Sequence, residues 1–168
     1  GNTRIESSGA GIGFDKTTSN GQGEIEFKKS SKTFVKGGIA GVFARYNNVT
    51  FEEGSDTTLI GGAYGLMANK GTIKKGAKVT LMGNYGTGKF EVKEHDRLTF
   101  ESGSELNILA NNSALYGIRL VGKTKLIAKG YNVLRQIDTY ADGEHSLNTV
   151  TFEKGSILDG NIDRSWNS

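Results

Sequence analysis

The residues of this chain best equipped for chemistry are its aspartates, Asp15, Asp56, Asp96, Asp138, Asp142, Asp159 and Asp163. Two polar clusters join them, His95-Asp96-Arg97 and Asp142-Gly143-Glu144-His145. Two carboxyl groups facing each other across a glycosidic bond would hydrolyse it. A carboxylate cluster holding calcium beside a basic residue would instead take a proton from the sugar and cleave by elimination. A second set is aromatic: Tyr64, Tyr85, Tyr116 and Tyr140, the first three each followed by glycine. Tyrosine combines a flat apolar face with a polar tip, which suits sugar stacking and protein contacts alike. There is no glycine-rich phosphate loop and no HExxH, and the absence of cysteine removes disulfides and thiolate metal sites.

Whether such groups can meet depends on the elements that carry them, and here the chain repeats itself. Val49-Thr50-Phe51-Glu52-Glu53-Gly54-Ser55 returns as Thr72 to Ala77, Leu98 to Ser104, Leu126 to Gly130 and Val150 to Ser156. A weaker first copy runs from Ile25 to Ser31, with Ser30 in the glycine position. The anchors Ser30, Gly54, Gly76, Gly103, Gly130 and Gly155 follow one another every 22 to 27 residues. A strand-turn unit at a near-fixed interval marks a solenoid. Three residues before each anchor stand Phe27, Phe51, Ile73, Phe100, Ile127 and Phe152, which alternation of side chains predicts to stack as one inward column. One position earlier, Glu26, Thr50, Thr72, Thr99, Leu126 and Thr151 are expected to face outward.

A second strand follows each anchor, with Leu59, Val79, Leu81, Leu106, Ile108 and Val133 as its inward residues. A Gly/Asn corner then leads to a third strand: Val42 to Arg45, Leu66 to Ala68, Lys89 to Val92 and Ile118 to Val121. The expected fold is all-β, a parallel β-helix of about six to seven coils with three short strands each. It forms one domain over 1–168, in which residues 1–24 are a degenerate first coil or a cap. The leucine-rich repeat pattern is missing, and a β-sandwich would not repeat one anchor at this interval. Gly 25 against Pro 0 agrees with many tight turns and with strands paired on both sides.

In a solenoid, catalytic groups come from adjacent rungs at one offset. Counted from the preceding anchor, only Asp138 and Asp163 share one, and turn residues beside Gly and Asn are the ordinary alternative for each aspartate. His95 and His145 lie two rungs apart, so neither a metal centre nor a cofactor is expected. The net charge of +3 shows no basic stripe for nucleic acid, and no stretch reaches the length of a membrane span. The tyrosines fall at similar offsets, near the opening of the third strand. They are the candidate ligand-binding residues, together with Arg119 from the same region. The alternative is that their rings pack over the coil corner and shield glycine backbone.

The hydrophobic-Thr-Phe-Glu-x-Gly-Ser unit, with its Leu-rich strand, Asn/Gly corner and Tyr-Gly, resembles the pectate-lyase-like adhesive domains of Gram-positive surface proteins. The copies that carry the likeness are Val49 to Ser55 with Tyr64-Gly65, Leu98 to Ser104 with Tyr116-Gly117, and Val150 to Ser156, and it covers roughly residues 25–160. The resemblance implies a right-handed helix displayed outside the cell, attached to the wall through a region beyond this chain. It implies a non-catalytic adhesin that binds a host-surface or cell-wall glycan, or a host protein. Neither end shows a strong cap, which predicts a parent chain that continues on at least one side. The rival expectations are a polysaccharide lyase or hydrolase on the same scaffold, and a structural spacer.

Overall fold

In a computed structural model the chain is all-β, and the described residues are 1–14, 23–83, 90–92, 97–110, 118–121, 125–135, 137–140, 149–160 and 162–163. The strands, in chain order, are β1 (Asn2–Ser7), β2 (Ala10–Gly13), β3 (Glu24–Phe27), β4 (Lys32–Gly37), β5 (Ala40–Phe51) and β6 (Asp56–Gly61). They continue with β7 (Tyr64–Ile73), β8 (Lys78–Gly83), β9 (Phe90–Val92), β10 (Arg97–Phe100), β11 (Glu105–Ala110) and β12 (Ile118–Val121). The last are β13 (Lys125–Ala128), β14 (Val133–Leu134), β15 (Ile137–Tyr140), β16 (Thr149–Phe152), β17 (Ile157–Leu158) and β18 (Ile162–Asp163).

Every pairing is parallel and joins a strand to its counterpart one repeat away, so the chain winds as a β-solenoid. One face is a seven-stranded sheet in the order β1-β4-β6-β8-β11-β14-β17. The other two faces share one sheet, because β5 and β7 run unbroken around a corner. The opening of β5 pairs with β2 and its end with β3, while β7 likewise serves β9 and β10. The third strand and the next anchor strand, expected as separate pieces, are therefore continuous in those two coils. Residues 1–14 supply β1 and β2, which stack on β4 and β5 as part of a first coil.

The core is the thin inner row of each face. Phe27, Phe51, Ile73 and Phe100 stack in register and are buried, with the rings of Phe27 and Phe51 parallel at 4.9 Å. Leu59, Val79, Leu81, Leu106 and Ile108 fill the facing sheet as expected. The sequence expectation fails one rung later. Phe100 pairs with Ala128, not Ile127, and Ala128 in turn with Phe152. Ala128 is buried, while Ile127 joins Thr99 and Thr151 in the outward row that Leu126 was expected to occupy. On the next strand Leu134, not Val133, is the buried residue and pairs with Leu106.

The cause is a turn of unchanged length but different shape. Gly54, Gly76 and Gly103 lie three residues after their column residue at positive φ, whereas Gly130 takes φ 63° only two residues after Ala128. Tyr131 fills the vacated turn position, where its carbonyl accepts from Gly103 N at 2.7 Å. Counting back from the glycine is therefore off by one, and a shift of one residue exchanges the two faces of the strand.

The well-packed part of the solenoid is about four turns, fewer than the anchors suggest. At both ends strands continue the stack but bury less. β1 is largely exposed, and Phe152 on β16 is 37 % exposed, with no further strand covering that rung among the described residues.

Candidate functional site

Tyr64 opens β7 at a corner that only glycine can build. A Cβ on Gly61 would come within 1.9 Å of the Tyr64 carbonyl oxygen, so the chain turns there with its backbones nearly touching. The Tyr64 ring is half-buried and tilts against Phe43, with centroids 6.4 Å apart. Phe43 is itself 37 % exposed, so the pair forms an aromatic edge on the third face.

Tyr140 does not extend this edge as one column. Tyr140 ends β15 three residues after Ile137, whereas Tyr64 stands two residues before Leu66. Leu66, Phe90, Ile118 and Ile137 are successive register partners, so Tyr140 lies five positions further along the strand direction than Tyr64. Similar offsets from the anchors misplaced it, because the corners between anchor and third strand differ in length. Tyr85 and Tyr116 lie outside the described residues.

Arg119 occupies a row that the sequence only half disclosed. Its register partners are Glu91 on β9 and Asp138 on β15, and Asp138 pairs with Asp163 on β18. The same row runs back through Met67 and Phe43. One register row thus leads from the aromatic edge to Arg119 and then to two aspartates one rung apart. The shared offset of Asp138 and Asp163 was the signal for that pair, while the place of Arg119 and Glu91 beside them emerges only from the pairing. Among the described residues no three His, Asp or Glu groups converge in a way that could hold a metal ion.

The remaining exposed charge is ordered by sign. Just past the inward column, Lys28, Glu52, Lys74, Glu101, Lys129 and Glu153 follow one another on successive rungs, each placed by a backbone hydrogen bond to the rung before from Glu52 onward. On the seven-stranded face Lys32, Asp56, Lys78 and Glu105 alternate in the same way. Lys74 Nζ meets Glu52 Oε1 at 3.2 Å, Lys29 Nζ meets Glu53 Oε2 at 3.0 Å, and Lys28 pairs with Glu26. The hydrogen bonds and charge of Lys28 and Lys29 hold the Glu26 and Glu53 carboxyls below the usual carboxylate range. Those of Glu26 and Glu52 push the Lys28 and Lys74 ammonium groups above theirs. All these groups are solvated, so each pair contributes little to stability and mainly disfavours wrong registers.

Comparison with known proteins returns no matching family model, no matching curated protein and no matching solved structure.

Proposed function

We propose that this chain is a non-catalytic binding module, an adhesin-type domain displayed on the cell surface of a larger wall-attached protein. The observation that carries the proposal is the seven-stranded parallel face with its continuous neighbours. Each rung sets one outward residue beside the equivalent residue of the next, which makes an extended surface of repeated contacts rather than a single cleft. The resemblance of the anchor motif to pectate-lyase-like adhesive domains supports the same reading. The ligand class is a host-surface or cell-wall glycan, or a host protein, bound along the outside of the rod. A glycan array with a cell-adhesion assay tests this. Retention of ligand by the folded chain supports it, and failure to bind glycans or cells would reduce the chain to a spacer.

One observation favours a second reading. Asp138 and Asp163 are register partners on adjacent strands, with Arg119 next in the row. Retaining glycosidases act with two carboxyl groups about 5–5.5 Å apart, which residues on neighbouring rungs can supply. Release of reducing ends or unsaturated products from polysaccharide, with calcium present and absent, would establish this reading over the first. An Asp138→Asn variant should then lose that release.

A further inference from the structure

The alternation of charge described above is broken by the like-charged partners Asp138 and Asp163, and by one longer run of cations. On the outer side of the anchor strands one row reads Glu24, Asn48, Lys70, Arg97, Lys125 and Thr149. The pairs Glu24–Asn48, Asn48–Lys70, Arg97–Lys125 and Lys125–Thr149 are direct register partners. Arg97 immediately precedes Leu98, the partner of Gly71, and so comes abreast of Lys70. Three cations therefore occupy one register position on three successive rungs, at a spacing of about 4.8 Å. Like charges directly opposite one another in a sheet are destabilising. In the row just past the inward column and on the seven-stranded face, a carboxylate stands between such neighbours. Lys70 is exposed, and among the described residues no carboxylate pairs with it.

Beside this row runs a nearly neutral one: Glu26, Thr50, Thr72, Thr99, Ile127 and Thr151. Past the first rung it carries no charge, and it sets Thr72 beside the Lys70 position, Thr99 beside Arg97 and the apolar Ile127 beside Lys125. A run of three cations against rows that alternate in sign breaks a local rule, and such breaks are where function is expected to reside. We propose that this face is a docking track for a linear acidic polysaccharide. The cations at Lys70, Arg97 and Lys125 would meet its carboxylate or sulfate groups, and the threonine row would meet its hydroxyls. Nucleic acid fits less well, because aromatic residues that could stack bases are absent from these two rows. The inference rests on the reading of the chain as a binding module and names the face and ligand class for it.

The test measures binding of the intact chain to immobilised dextran sulfate and to unsulfated dextran, at low and high salt, together with melting temperatures. The chain should bind the sulfated polymer alone, and less as salt rises. Arg97→Glu replaces the middle cation by a carboxylate. It should weaken binding by about tenfold, the size expected when one exposed attraction becomes a repulsion. It should also raise the melting temperature, because alternation is restored. Lys70→Gln should weaken binding and leave the fold intact, while Lys36→Glu, exposed on the seven-stranded face, should change binding little.

Equal weakening by Lys36→Glu would show attraction to net charge alone and would overturn the inference. So would a lower melting temperature for Arg97→Glu, which assigns the row to the fold, or tighter binding of a single-stranded oligonucleotide than of dextran sulfate. Capture of a neutral glycan or a protein without dextran sulfate would overturn this inference and leave the binding-module reading standing. Failure to bind any of these would overturn both.

Discussion

Ser30 holds a backbone angle, φ 54°, that the equivalent turns at Gly54, Gly76 and Gly103 leave to glycine. The left-handed region costs an L-residue about 1–2 kcal/mol, of which glycine's greater unfolded-state entropy returns about 0.5–1 kcal/mol. Ser30→Gly should therefore stabilise the chain by about 0.5–1 kcal/mol, or roughly 2–4 °C in Tm per kcal/mol at this size. Thermal melts check it, and an unchanged or lower melting temperature would contradict the account. Tyr64 poses the functional question at the same scale. It packs against Phe43 over a glycine corner, which serves the fold, and through that contact it stands next to the register row that reaches Arg119. A Tyr64→Ala, Tyr116→Ala double variant should remain folded by circular dichroism yet lose the ligand found on the array. Binding that survives in the folded variant would make these rings structural.

At the scale of the element, the informative strand is β13. Counting from Gly130 places Ile127 inside, whereas the pairing of Phe100 with Ala128 places it outside. The two assignments make opposite predictions. Ala128→Asp should abolish folding or expression, since an unpaired buried charge costs several kcal/mol, while Ile127→Asp should give soluble, folded protein. Expression yield and far-ultraviolet spectra decide between them. The rung below is the control: Phe100→Asp should fail and the half-buried Thr99→Asp should be tolerated.

For the molecule as a whole, the alternating charges define a pH window. The Glu26 and Glu53 carboxyls titrate below their ordinary range in the folded chain. Their contribution is present above the unfolded-state value and is lost as pH falls through the lowered one. Lys28 and Lys74 are raised, so their contribution is complete below the unfolded lysine value and is lost as pH rises through the raised one. Melting temperature should be flat between these limits and fall on both sides. Glu26→Gln should flatten part of the acid limb, and an acid limb identical to that of the parent would count against the pair. High salt should narrow the difference between variant and parent, because exposed charges are screened.

The sequence by itself determined the solenoid and the inward residues of most coils. It also marked the shared offset of Asp138 and Asp163. Each of these is a local period, and a period survives in one dimension. It could not determine register where a turn changed shape without changing length, as between Ala128 and Val133, because alternation tells only that one face is inside and not which residue begins it. Nor could it show that Lys70, Arg97 and Lys125 fall into one row while Tyr64 and Tyr140 do not. Those residues lie in coils of unequal length, and only the pairing of strands against one another converts distances along the chain into neighbours in space.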